Sequence, residues 1–126
     1  MNRSLQLMLA TLGIAAFLGT AAPAGAATLA SGVLETRSGT QIRCWLANVS
    51  TQPMTYTMCS VDVFTGADHI CESGVVNPGA ARPMIGGSEG GVFYCRFTVN
   101  NKSAARATAS LKSFLSGTTF AVIDAR

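Results

Sequence analysis

The feature that most constrains this chain is an alternation of apolar and polar side chains, which runs through most of the sequence after residue 28. A period of two residues is that of a β-strand with one buried face, whereas an amphipathic helix repeats every 3.6 residues. The clearest example is residues 105–112, where alanine or leucine alternates with arginine, threonine, serine or lysine. Alanine favours a helix, but the strict alternation and the Thr and Ser residues favour a strand. We therefore predict an all-β chain.

The alternating segments are short and are separated by turn residues. The predicted strands lie at 29–37, 41–49, 54–64, 69–73, 92–99, 105–112 and 120–125. In the segment 54–64, we predict that Cys59, Val61 and Val63 share one face and that Tyr56, Met58 and Ser60 share the other. Residues 77–79 form a predicted turn, and the glycine-rich residues 86–91 a flexible loop. Seven or eight such strands predict an antiparallel sandwich.

The first 26 residues have the pattern of a cleaved export signal. Arg3 precedes an apolar stretch at 5–18, and Ala24-Gly25-Ala26 has the small-residue form that a signal peptidase requires. An uncleaved anchor is the alternative, but the apolar stretch is shorter than the ~20 residues that span a membrane, and Pro23 interrupts helix formation. We therefore predict a signal peptide at 1–26, a sandwich domain at 27–126, and a periplasmic or secreted location.

All four cysteines lie in the predicted mature domain. An even number of cysteines in a small exported domain favours two disulfides, and the paired Cys-x₂₋₄-Cys spacing of a zinc site is absent. Cys44 and Cys95 lie on the inward faces of an early and a late strand, at the separation of the inter-sheet bridge in immunoglobulin-like domains. This favours Cys44–Cys95 with Cys59–Cys71. The pairing Cys44–Cys59 with Cys71–Cys95 stays open at this point.

Several short motifs occur in order along the predicted domain. They are Cys-Trp-Leu-Ala-Asn-Val-Ser at 44–50, Asp-Val-Phe-Thr-Gly at 62–66, Asn-Pro-Gly at 77–79, Tyr-Cys-Arg-Phe at 94–97 and Ala-Arg-Ala at 105–107. In these motifs the chain resembles small exported bacterial immunoglobulin-like β-sandwich proteins of uncharacterised function. The resemblance implies the fold, and it implies no activity and no catalytic residue.

The chain contains few of the patterns that catalysis requires. It has no Gly-x-Ser-x-Gly motif, and the glycine-rich residues 86–91 lack the lysine and the following helix of a phosphate-binding loop. The formal net charge of +3 is too small to indicate nucleic acid or an anionic membrane as a partner. We predict no cofactor and no metal. The alternative is a small hydrolase or metal-dependent enzyme that uses the single histidine, His69, with Asp62 or Asp68.

A candidate binding face depends on which strands share a sheet. If the strands at 54–64, 92–99 and 105–112 are in one sheet, its outer face carries aromatic and basic residues of the kind found in recognition surfaces. These residues are Tyr56, Met58, Tyr94, Arg96, Arg106 and Lys112. Trp45 is predicted to point outward from the other sheet. The alternative is an ordinary solvated sheet face.

The predicted function is a non-enzymatic binding or structural role in the bacterial envelope or secretome, with a protein or glycan as ligand. A pilus subunit is a further alternative, but the C-terminal residues 120–126 lack the penultimate aromatic residue usual in such subunits.

Overall fold

The structure, a computed structural model, describes residues 26–88, 90–113 and 115–126, without the side chains of residues 88, 120 and 121. The predicted signal peptide therefore lies outside the described residues, apart from residue 26. The strands are β1 (Ala27–Ala30), β2 (Leu34–Glu35), β3 (Thr40–Asn48), β4 (Met54–Asp62), β5 (Asp68–Val76), β6 (Ala81–Ser88), β7 (Val92–Val99), β8 (Ala105–Ser113) and β9 (Thr119–Asp124). A single turn of 3-10 helix, Lys102–Ala104, precedes β8. No helix in this part of the chain is long and apolar enough to cross a membrane.

The strands form two antiparallel sheets. Sheet I has the order β1-β7-β4-β5, with β2 also paired to β7, and sheet II has the order β6-β3-β8-β9. This confirms the prediction of an all-β, immunoglobulin-like sandwich, with nine strands in the described part of the chain. The segment at 105–113 is a strand with partners on both sides, β3 and β9. Its alternation, rather than the helix propensity of alanine, decides its structure.

The core lies between the sheets and is crossed by a disulfide. Ile42, Cys44 and Leu46 of sheet II and Cys95 and Phe97 of sheet I are all fully buried. The predicted Cys44–Cys95 bridge is confirmed, and it joins the two sheets with a Cα–Cα distance of 5.7 Å. On β8 the inward positions are alanines at 105, 107 and 109, which are buried. These small side chains belong to the same buried cluster as the large Phe97 of sheet I.

The second predicted disulfide, Cys59–Cys71, is also confirmed, but it lies on the outer face of sheet I. Cys59 and Cys71 are direct cross-strand partners in the hairpin β4–β5. The predicted grouping of these residues on two faces holds, but its direction was wrong: Tyr56 and Met58, predicted for the outer face, are in the core, and Cys59 is not. A bridged cysteine is as apolar as a core residue, so the pattern of Cys59 with Val61 resembled an inward face. Cys59 is nevertheless buried, although it lies outside the core between the sheets.

Two further segments differ from the prediction. The chain at 81–88 is a strand paired with β3, although residues 86–91 were predicted to be a loop. Gly86 is needed here because the two sheets approach closely: a Cβ would lie 2.8 Å from Cβ of Ser60. The predicted strand at 29–37 is divided into β1 and β2. Between them Ser31 Oγ accepts a hydrogen bond from the Cys95 amide at 2.8 Å, so a side chain takes the place of a backbone partner.

Candidate binding surfaces

The six residues of the predicted binding face do not form one surface. Tyr94 and Arg96 lie on the outer face of sheet I, where they alternate with the buried Phe93, Cys95 and Phe97. Tyr56 and Met58 belong to the same sheet, but they point into the core. Arg106 and Lys112 lie on β8 and therefore in sheet II. The assumption that the three strands share a sheet was wrong, because β8 pairs with β3 rather than with β7.

The outer face of sheet I contains an ion pair beside the Cys59–Cys71 disulfide. Arg96 Nη2 donates to Asp68 Oδ1 at 2.6 Å, reaching across β4 from β7 to β5. A carboxylate oxygen of Asp68 and the two sulfur atoms lie within 4.8 Å of one another. Both sulfurs are in the disulfide, so neither is a thiolate that could bind a metal. Both charged side chains are partly exposed, so the pair contributes little to stability.

The carboxylates predicted as partners of His69 have other roles. Asp62 Oδ1 accepts hydrogen bonds from the Phe64 amide and from the Thr65 amide and hydroxyl, which shape the β4–β5 turn. These bonds, led by the one from the Thr65 amide, lower the pKa of Asp62, and His69 adds a smaller electrostatic effect. Asp68 is bonded to Arg96, and the His69 ring centroid lies 5.2 Å from that of Phe93. The geometry therefore places both carboxylates in structural contacts.

Tyr56 forms a polar contact at the edge of the sandwich. It is 6% exposed, and its hydroxyl donates to Glu72 Oε1 on the edge strand β5 at 2.6 Å. Burial, followed by the hydrogen bond and charge of Glu72, raises the pKa of Tyr56 to about 12, while the positive charge of Arg82 acts in the opposite direction. The phenol is therefore held in its neutral, donating form.

The raised pKa of Tyr56 makes the folded state sensitive to alkaline pH. The folded protein holds the Tyr56 proton more tightly than the unfolded chain does. The resulting contribution of protonated Tyr56 to the free energy of unfolding is therefore fully present below pH 10.0 and is lost as the pH rises to about 12. We expect a late ionisation step in the tyrosinate absorbance titration, and we expect Tyr56→Phe to remove it. A variant that keeps the same absorbance change above about pH 11 would contradict this assignment.

The outer face of sheet II contains an open trough of about 430 Å³, which we call the Trp45 trough. Its lining includes Trp45, Ala47, Arg106, Thr108, Ser110 and Val122. The trough exists because small side chains of β3 and β8 lie among large ones. In register, Trp45 is opposite Thr108, and Ala47 is opposite Arg106. Trp45 is 37% exposed, which agrees with the prediction that it points outward.

The charges around this trough are predominantly positive. Arg106 Nη1 donates to the backbone oxygens of Ser103 and Ala105, at 3.0 and 2.9 Å, so its partners are uncharged. Arg43 Nε and Nη2 lie 2.8 Å from the side-chain amide of Gln41, whose oxygen accepts from both. Within the described ranges, the one ion pair is that of Arg96 and Asp68 on the opposite sheet. Among the described residues of the outer face of sheet II, Arg43, Arg106 and Lys112 outnumber the carboxylate of Asp124, so this face carries excess positive charge.

The sequence contained part of the signal for this trough. Alternation correctly placed Trp45, Arg106 and Lys112 outward, but it carries no information on which strands are neighbours. Once β3 and β8 are known to pair, small residues next to a lone tryptophan indicate a concave patch. Without that pairing, Trp45 and Arg106 could not be assigned to one site.

Comparisons with known proteins support the fold and leave the trough unassigned. No family model matches the chain, and no curated protein matches it. A solved structure described as "Crystal Structure of Thermotoga maritima 1070" is similar, with a TM-score of 0.55 and 8% sequence identity. The similarity covers 81% of this chain and 94% of that chain. At this identity the likeness shows a shared β-fold and nothing about function.

Proposed function

We propose that this protein is a non-enzymatic binding module of the bacterial periplasm or secretome, and that the Trp45 trough is its binding surface. The observation that carries the proposal is the trough itself, in which the single tryptophan of the chain is partly exposed beside unneutralised arginine. Tryptophan and arginine are the side chains most often responsible for binding energy at interfaces. The family resemblance of the sequence agrees with a small exported sandwich protein.

The cysteine chemistry supports a location outside the reducing cytoplasm. All four cysteines are in disulfides, and none is free. Disulfides persist in oxidising compartments such as the periplasm and the extracellular space. The export signal predicted at 1–26 agrees with this location, and it would deliver the protein to the compartment in which both bridges form.

The test is retention of a partner by the immobilised protein. The exported protein, purified with both disulfides formed, is exposed to envelope extract and culture medium, beside a Trp45→Ala variant. The matched control is Tyr94→Ala, which removes an aromatic side chain from the outer face of sheet I. We expect wild type and Tyr94→Ala to retain the same component and Trp45→Ala to lose it.

Other outcomes would contradict the proposal. Equal retention by all three proteins, or loss only in Tyr94→Ala, would remove the Trp45 trough as the site. Retention by none of them would count against a binding role, and hydrolytic or redox turnover by the purified protein would show an enzyme. Circular dichroism and thermal melting of each variant show whether a loss of binding reflects a loss of folding.

A further inference from the structure

We infer that the Trp45 trough binds an acidic oligosaccharide, with the apolar face of a sugar ring stacked on Trp45 and a uronate carboxylate paired with Arg106. This inference rests on the proposed function and names its ligand class. Three properties of the trough support it: its shape, its charge and its open ends.

The shape of the trough suits a flat ring rather than a projecting side chain. Trp45 is 37% exposed, and the side chains around it are small or cyclic: its cross-strand neighbours are Pro83 on β6 and Thr108 on β8. Ala47 and Ser110 continue this shallow floor. A ring can lie against the indole face, while the hydroxyls of Thr108 and Ser110 are the kind of group that bonds sugar hydroxyls.

The charge of the trough selects an acidic ligand. In the bonds formed among described residues, Arg106 uses Nη1, which leaves the Nε–Nη2 edge of its guanidinium for a ligand. That edge matches the two oxygens of a carboxylate in a bidentate arrangement. Among the described residues, Arg43 and Lys112 add positive charge on the same face, and one carboxylate, that of Asp124 opposite Thr108, lies there with them. A neutral sugar would gain no electrostatic attraction from this excess charge.

The extent of the trough suits a chain of sugars rather than a single one. The lining reaches from Ala81 on the edge strand β6 to Thr119 on the edge strand β9, so it crosses all four strands of sheet II. With neighbouring strands roughly 4.8 Å apart, the crossing covers about 14 Å. This is longer than one pyranose ring, and the ligand can continue past either edge.

Two other ligand classes fit the trough less well. A peptide usually gains affinity by adding its backbone to a free strand edge, whereas the centre of the trough lies on β3 and β8, whose backbone groups are paired within sheet II. A lipid surface is met best by a flat or convex face, whereas this one is concave at its centre. Both classes are outcomes of the test below.

The test uses the single tryptophan as its own reporter, because its fluorescence comes from the proposed site. The exported, disulfide-bonded protein is titrated with the trimers of galacturonate and of mannuronate. Methyl-esterified trigalacturonate is the matched neutral ligand, and vesicles of phosphatidylglycerol and an acidic peptide are the competing classes. We expect a saturable fluorescence change with a uronate trimer, about tenfold weaker binding of the ester, and weakening at high salt.

The variants test the two contacts separately. Arg106→Gln is expected to weaken uronate binding by about tenfold or more, and Trp45→Ala, followed by calorimetry, by a similar factor. Arg37→Gln, which removes an exposed cation in the turn before β3, is the matched control and should bind as wild type does.

The inference would be overturned if the ester and the acid bound equally, if only the vesicles or the peptide bound, or if neither of the two uronate trimers bound. In each of these cases a Trp45-dependent partner in the retention experiment would leave the proposed function standing. If the retention experiment also showed no Trp45-dependent partner, both the proposed function and this inference would be overturned.

Discussion

Loss of the Cys44–Cys95 disulfide, by the double substitution Cys44→Ala and Cys95→Ala, is expected to leave the protein unfolded or nearly so at about 37 °C. The bridge closes a loop of 51 residues and joins the two sheets through the centre of the core. Loop-closure entropy predicts a contribution of roughly 4 kcal/mol for such a loop. The fully buried sulfurs also fill space that two alanines would leave partly empty. A domain of this size has only about 5–15 kcal/mol of stability in total.

The measurement is urea unfolding followed by the fluorescence of Trp45, which lies on β3 one residue from Cys44. The matched control is the double substitution Cys59→Ala and Cys71→Ala, which removes a bridge with a sequence separation of 12. Loop-closure entropy predicts a loss of about 3 kcal/mol in the free energy of unfolding for this variant. Because Cys71 is exposed, its replacement by alanine leaves no cavity in the core. If the outer bridge proves the more important, the order of these contributions is wrong.

The second large effect is expected at Asn48, whose side chain is completely buried at the end of β3. Its amide nitrogen donates to the backbone oxygens of Gln52 at 2.7 Å and Val76 at 3.0 Å. Its Oδ1 accepts from the Ser50 amide at 3.0 Å and from the Ser50 hydroxyl at 2.7 Å. One side chain therefore connects the β3–β4 turn to the end of β5.

The substitution Asn48→Asp keeps the size and the acceptor but replaces the donor by a buried carboxylate oxygen facing two carbonyl oxygens. We expect a loss of about 3–5 kcal/mol in the free energy of unfolding near neutral pH. The introduced carboxyl is expected to have a raised pKa in the folded state, because its charged form is buried without a positive charge nearby among the described residues and one of its oxygens faces two carbonyl oxygens. Stability should therefore partly return at acidic pH and be lost as the pH rises.

The control for this prediction is Asn101→Asp. Asn101 is exposed, and its Oδ1 accepts from the Ser103 hydroxyl at 2.8 Å and the Ala104 amide at 3.3 Å. A carboxylate can make both contacts, so the expected change is within about 0.5 kcal/mol. Urea unfolding at two pH values compares the variants. Similar losses for both would show that the buried donor contacts of Asn48 are not what stabilises this end of the sandwich.

The recovery of the fold from the sequence depended mainly on side-chain alternation. Alternation identified strands reliably where one face is buried and the other solvated, as in β7 and β8. It failed where a glycine is required by the approach of the sheets, at Gly86, because a strand without side chains resembles a loop. It also did not tell which face of β4 points inward: Tyr56 and Met58, predicted for the outer face, are in the core.

The candidate site was recovered only in part, for a related reason. The outward direction of Trp45, Arg96 and Arg106 could be predicted from alternation alone. Their grouping could not, because it depends on whether β8 pairs with β3 or with β7. The contact between Tyr56 and Glu72 was also missed, because its register is a property of the β4–β5 hairpin rather than of either residue.

The sequence by itself determined the all-β class and most of the strands and turns, because these follow from side-chain period and turn chemistry. The placement of Cys44 and Cys95 favoured the observed pairing of the cysteines, and the structure decided between that pairing and its alternative. Only the tertiary structure decided which strands are neighbours and which sheet each one joins. Side-chain alternation specifies an inward and an outward face but contains no record of the partner strand, and a surface site is built across partners. The Trp45 trough is therefore a property of the pairing of β3 with β8, and no single segment of the chain contains it.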